Sequence, residues 1–438
     1  MSDLEKAFAA LSAKSRPYTT LMDYADGNQP LQYSTKRLQE AFENIDTRFS
    51  QNWCSVVIDS EIERMNFCGW SLKDKKATQK LQSIFDRLEI SQDAYDIHRS
   101  ACITRESYAI ISKNDDGEIE FNYNDPRLCH IFYLADNPKK IDFACKWYQD
   151  SGIWHLILYY ADRYEYYITS KTDMPTNYKA FKADDPDKQL NPYGTVPVFH
   201  FRLSRYSKGD LFNIRTLQDA VNKLFSDMMV ASEFCALNQR YVITEAETST
   251  LKNAPNEIWT LPPGSSAGQF TASGLDNFLN AIDKIANSIA IISRTPKHYF
   301  YSAGNVPSGE ALLAMESPLT KKVDQRINSF SSTWRKIGAF LLQLEGTTVE
   351  PIDITPVWKP SQSIQPKTEA DTAKVWVDAT VPLKTALSWA GKTDDEIKQM
   401  EMDSAEEKAK NAVLSKQLLD QARVKQEQSN VIDETEQE

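Results

Sequence analysis

The stretch SRTPKHYFYSAGNVPSGEALLAMESPLTKKV, Ser293 to Val323, joins two helical patterns, and the reading of the fold turns on it. Upstream of it Phe278, Leu279, Ile282, Ile285, Ala286 and Ile289 recur at the spacing of one helix face, with Asp276 as the expected cap. An aromatic run, Tyr299 to Tyr301, then breaks the pattern. Gly304 and Gly309 permit tight turns, Asn305 tolerates them, and Pro307 opposes collapse of the segment into helix. Ser308 can cap the next helix, with Glu310 favourable to its dipole. From Glu310 that long helix is expected to reach Leu344, broken or bent near Pro318, with Phe330, Trp334, Ile337 and Leu341 along one stripe and Gly346 just past its end.

Working outward, the first 110 residues carry mainly helical spacing, at Leu38 to Ile45, at Asn52 to Met65 and in a third segment after Gly69. From Tyr108 to Phe201 the character changes. YAIISKNDDGEIEFNYND reads as a hairpin with Asp116-Gly117 at its turn, and IDFACKWY, IWHLILYYAD and RYEYYITS are rich in the β-branched and aromatic residues of strands. Helical spacing returns at Val221, Leu224, Met228, Ala231 and Cys235. Residues 244–274 hold many turn formers and short β-like pieces. That is too long for a simple connection and too short for an ordinary domain, so an insertion stabilised by neighbouring subunits is expected. After Gly346 an extended IDITPVWKP precedes two shorter helical patterns, and the final residues form a highly charged, partly disordered tail. The fold class expected from these patterns is α+β.

Composition narrows the chemistry. The 438 residues include 61 acidic and 50 basic side chains, a formal charge of −11, which argues against tight general binding to DNA but not against brief contact. The six cysteines form no CxxC pair and the five histidines are scattered, so reduced thiols are expected, with no structural metal and no cofactor. No run is apolar enough for a membrane span, and the N-terminus lacks a signal core. WAGKTDD, Trp389 to Asp395, holds Gly391-Lys392-Thr393, but Ala386 stands where a phosphate-binding loop needs its first glycine. Asp115, Asp116 and Glu118 read as an acidic turn, and His155 as a strand residue. No nucleophile–base pair stands out at readable spacing; the chain is expected not to be an enzyme and to have no catalytic residues.

Taken in order, several stretches resemble phage portal proteins of the SPP1 type. They are YADGNQPL from Tyr24, NWCSVVIDSEIERMNFCGW from Asn52, DPR from Asp125, GTVPVFHF from Gly194, LQDAVNKLFSDMMVASEFCALNQRYV from Leu217, and the Ser293 to Val323 stretch. The resemblance covers roughly residues 24–346. It implies a homo-oligomeric, dodecameric ring at one capsid vertex, with long helices around a central channel that double-stranded DNA threads. The ring docks the terminase motor during packaging and head-completion proteins afterwards, and meets major capsid and scaffolding proteins. Its place would be the virion, and the host cytoplasm during assembly, without a membrane. A virion adaptor or scaffold with no conduit is the alternative.

The resemblance also implies the parts of the subunit. Residues 1–215 would form the N-terminal region and wing, 216–243 a first stem helix, 244–274 the clip, and 275–293 a second stem helix. Residues 294–308 would be the tunnel loop, 309–346 the long wing helix, 347–410 the crown and 411–438 the tail. Arg294, Lys297, His298, Tyr299, Phe300, Tyr301 and Asn305 would then be channel residues, with Gly304, Pro307 and Gly309 as hinges. Trp259 and Phe270 would serve the clip interface. Lys297 or His298 could touch phosphates, and the aromatics would line the constriction or wedge against neighbouring loops. Alternatively, the aromatics anchor the loop to its own subunit.

Overall fold

The structure, a computed structural model, describes residues 1–29, 51–170, 172–184, 189–204, 206–236, 240–245, 260–269, 274–300, 308–362, 371, 374–389 and 397–410. The chain divides into two units, Met1–Ser361 and Gln362–Glu438. The first unit opens with α1 (Asp3–Asp26) and α2 (Trp53–Ile62), followed by β1 (Phe67–Ser71), α3 (Lys75–Arg87) and α4 (Ile90–Thr104). A run of antiparallel strands comes next: β2 (Glu106–Lys113), β3 (Ile119–Asn124), β4 (Cys129–Tyr133), β5 (Ile141–Asp150), β6 (Ile153–Tyr159), β7 (Arg163–Ile168), β8 (Lys182–Ala183), β9 (Gln189–Leu190) and β10 (Val198–Arg202). Then come α5 (Arg215–Ala236), the short pair β11 (Arg240–Ile243) and β12 (Ser266–Gln269), α6 (Asp276–Ser293), α7 (Gly309–Leu344) and β13 (Thr355–Trp358). The second unit contains α8 (Leu383–Trp389) and a charged helical segment at 397–410, exposed beyond the buried Ile397. The helical pattern at Leu38 to Ile45, the Gly391-Lys392-Thr393 turn and the tail from 411 onward lie outside the described residues.

The expected hairpin is β2–β3, and β10 adds to the other edge of β2. A six-stranded sheet follows the order β4-β5-β6-β7-β8, with β9 also on β7. The long helix α7 is capped by Ser308, whose hydroxyl accepts from the Ala311 amide at 3.4 Å, and helix runs through Pro318 without a break. Asp276, expected as a cap, instead lies inside the first turn of α6; Leu275 is the capping residue and makes no side-chain bond. The mainly helical character expected of the first 110 residues begins with α1, a helix not singled out from the sequence. Ser2 accepts from the Glu5 amide at 3.2 Å, and Ala7, Leu11, Tyr18, Leu21, Met22 and Ala25 face inward at helical spacing. A second difference is β1. It falls where helical spacing was expected to begin, and pairs with β13 across most of the chain.

Aromatic side chains of β1, α4, β10 and α7 make the centre of the core. Phe67 stacks on Trp334 at 4.1 Å, and the Trp70 indole donates to the Trp334 carbonyl at 2.8 Å. The Trp334 indole donates in turn to His98 Nε2 at 3.0 Å, and the imidazole lies flat on Phe330. Burial holds His98 down to about 3, so the ring is neutral and free to accept that bond. A buried indole must find an acceptor to avoid the cost of desolvation, and His98 supplies one without adding charge. Cys54, Cys68, Cys102, Cys129 and Cys145 are free thiols.

Candidate functional site

The loop between α6 and α7 is held at its start by three sets of contacts. Helix α6 ends on Arg294, whose φ of 61° lies in the left-handed region. For a residue with a Cβ this conformation costs about 1–2 kcal/mol and must be held by its surroundings. Beside it the Ser293 hydroxyl donates to the Ile289 carbonyl at 2.7 Å and accepts from the Thr295 amide at 3.2 Å, while Lys322 of α7 donates to the Ser293 carbonyl at 3.0 Å. Pro296 then opens a single 3₁₀ turn, Lys297–Tyr299.

Each described residue of that turn has a partner inside the subunit. Lys297 reaches back along α6 to Asp283 at 2.8 Å. The Tyr299 hydroxyl accepts from Arg64 Nη2 at 2.8 Å and donates to Glu316 of α7 at 3.3 Å, and Arg64 pairs with Glu316 at 3.2 Å. His298 meets the Tyr299 ring edge-on. Phe300 is buried against Trp53 of α2, ring centres 5.8 Å apart. In a single chain, then, Tyr299 and Phe300 face their own subunit, whereas Arg294 is exposed and Lys297 is in part. Gly309 is the first residue of α7. Tyr301, Gly304, Asn305 and Pro307, like Trp259 and Phe270, lie outside the described residues.

Behind Lys322 is a group of charges that sequence reading missed. Glu61 of α2 is fully buried and pairs with the Lys322 ammonium. Lys322 is also 3.4 Å from Asp210, and Arg326 is 2.9 Å from Asp210 and 3.9 Å from Glu61. Two carboxylates therefore face two cations, which keeps the group near neutrality in a site where an unpaired charge would be costly. Burial first, and Asp210 second, push the Glu61 carboxyl up to about 7 against the pull of Lys322 and Arg326. Burial lowers the Lys322 ammonium, but Asp210 and Glu61 outweigh it and the net shift is upward. Glu61, Cys102 and Asp210 place one ligand atom each within 4.8 Å of one another, as a metal site would. Lys322 and Arg326 already supply the positive charge there, and a metal ion would have to sit against both, so the donors present do not fit one. What the arrangement does instead is join α2, α4, the Asp210 turn and α7 to the last carbonyl of α6.

With that geometry in place, comparison identifies the family. The family model described as phage portal protein, SPP1 Gp6-like, matches residues 6–410. The chain belongs to the SPP1-like phage portal protein family. Among relatives of this portal-family chain, the portal proteins of Mycobacterium phage D29 and Mycobacterium phage L5 are each 30% identical over 202 residues. The matched stretch is 41% of this chain and spans only about two fifths, 41%, of each relative. Among solved structures, a chain from the neck of a native gene transfer agent particle computed with C12 symmetry is similar in fold. Its TM-score is 0.50 at 10% identity, covering 88% of this chain and 98% of that one. The α+β architecture is thus that of a phage portal-like protein.

Proposed function

We propose that this chain is the subunit of a portal ring, the conduit through which double-stranded DNA enters and leaves a capsid at one vertex. Family membership over residues 6–410 is the observation that carries this reading. In its terms residues 1–215 and 309–346 are wing, 216–243 and 275–293 the two stem helices, 244–274 the clip, 294–308 the tunnel loop and 347–410 the crown. Helices α5 and α6 pack against each other, as a stem pair would. Leu279, Ile291 and Ile292 of α6 and Leu313 and Met315 of α7 are exposed in one chain. A neighbouring copy in a closed ring would cover such residues. The terminase motor would dock at the clip and supply the energy of translocation, and head-completion proteins would replace it, so the subunit itself needs no catalytic site. Capsid and scaffolding proteins would meet the wing.

The tunnel-loop reading gives Lys297 a role compatible with its ion pair. Both partners are more than a third exposed, and a pair of that kind is worth only about 0–1 kcal/mol. A passing phosphate can therefore compete for the ammonium without a large cost. A conduit must not hold DNA, and a chain of charge −11 with a few weak cations at the loop suits that need. Replacing Lys297 and His298 together by Ala is expected to lower DNA packaged per particle several-fold in an assay with terminase and proheads, while ring assembly stays normal. Unchanged packaging would remove both residues from the DNA path.

A further inference from the structure

A second site lies in the first unit, away from the loop. A cleft of about 510 Å³ opens between the turn joining β4 to β5, the 194–200 segment that enters β10, and the later turns of α7. Its floor is apolar: Val196, Val198, Phe199 and Phe340 are buried and line it. At one end the Tyr133 hydroxyl bonds His200 Nδ1 at 2.9 Å, and His200 Nε2 is 3.3 Å from Glu106. Burial lowers the His200 pKa against the pull of Glu106.

The charges of the wall are one-sided. Acids outnumber bases 61 to 50 in the chain, yet among the described residues no aspartate or glutamate lines the cleft. Its charged side chains are Lys139, Lys140 and Lys336, and among the described residues none of the three is in an ion pair. Lys139 and Lys140 stand on the β4–β5 turn, whereas Lys336 stands on α7, so positive charge comes from two separate elements with the apolar floor between. Ammonium groups around an apolar trough select a ligand with the reverse pattern, an apolar group with negative charge on either side. A duplex does not fit, because it needs a long basic face and offers no apolar anchor. A single anionic head group would use one side of the rim only.

We propose that this cleft is a docking site for an acidic peptide segment of a partner protein, one whose aliphatic or aromatic side chain enters the floor while flanking carboxylates meet Lys139, Lys140 and Lys336. The proposal does not rest on the conduit reading. It predicts which surface of the wing region captures a partner by a short linear segment, a mode that needs little buried area.

The test uses the full chain and a short fluorescein-labelled peptide of glutamates flanking a central phenylalanine–leucine pair, followed by fluorescence anisotropy. Binding is expected, weakening steeply as salt is raised. Lys139→Glu, Lys140→Glu and Lys336→Glu together should reduce affinity by about tenfold or more. All three side chains are exposed, so folding should be unaffected. Lys76→Glu, on an exposed face of α3 outside the cleft, should bind as the native chain does. Absence of binding, equal binding of a lysine-for-glutamate peptide, or an unchanged affinity in the triple variant would overturn the proposal. Full competition by naphthoate at the concentration of the peptide would replace the peptide with a small organic anion. Full competition by a short DNA duplex would replace it with nucleic acid.

Discussion

Lys322→Ala is expected to cost about 3–5 kcal/mol of folding stability, the range for removing one partner of a buried charge pair. The Lys322 side chain is 8% exposed, and its ammonium touches three acceptors at once: Glu61, Asp210 and the Ser293 carbonyl. Without it Glu61, which is fully buried, keeps as its one cation Arg326 at 3.9 Å, beside the Cys102 thiol at 4.0 Å, and the last carbonyl of α6 loses its donor. Urea denaturation of the variant should therefore show a large drop in midpoint with little change in slope. Pairing the change with Glu61→Gln should recover part of the loss, because the orphaned carboxylate is then gone. A loss under about 1 kcal/mol in the single variant would mean that the charges are solvated, contrary to the packing described above. The effect should also reach function. Lys322 ties the entry of the α6–α7 loop to α2 and α7, so the variant should loosen the loop at its root even under conditions where the chain stays folded.

Gly209→Ala acts on the same cluster from the other side, and about 3 kcal/mol or more is expected from it. The backbone at Gly209 has φ +87°, and a Cβ built there would lie 2.1 Å from the Ile103 carbonyl oxygen and 3.0 Å from its carbon. Both atoms belong to backbone, at the end of α4, and cannot swing aside as a flexible side chain would. The adjoining residue is Asp210, whose amide donates to the Cys102 carbonyl at 2.9 Å and whose carboxylate meets Arg326 and Lys322. Displacing residue 209 would therefore move the acid that balances two cations. Thermal unfolding of the purified variant should show the loss directly. Near-native stability would mean that the α4 end yields to the new methyl group at little cost.

Local signals in the sequence account for much of the fold. Ser308 at the start of α7, the Asp116-Gly117 turn between β2 and β3, and the apolar face of α6 are each written within a few residues, and the structure places an element at each. Helix α1 carries equally local signals: Ser2 and Glu5 stand three apart, as in a capping box, ahead of Ala7 and Leu11. Pro17 inside the run works against them, since proline ordinarily ends a helix. Strand β1 was not legible, because its partner β13 lies at Thr355–Trp358 and only the fold brings them together. The same holds for the charge cluster. Glu61 and Lys322 are 261 residues apart, and neither residue type signals burial by itself, since both are ordinarily solvated. The loop could be bounded from its glycines and proline. That Phe300 would be taken up by Trp53, and Tyr299 by Arg64 and Glu316, depended on α2 and α7 arriving at the same place.

As the proposed conduit, this chain would close into a ring around a channel wide enough for duplex DNA. Cryo-electron microscopy of the assembled protein, with subunits counted in end-on averages, tests it most directly. The expected result is a ring of roughly a dozen copies, with α5 and α6 around the channel, the α6–α7 loop at its narrowest point, and the exposed apolar residues of α6 covered by the next subunit. A closed assembly with no central opening, or a ring with the loop on its outer surface, would contradict it.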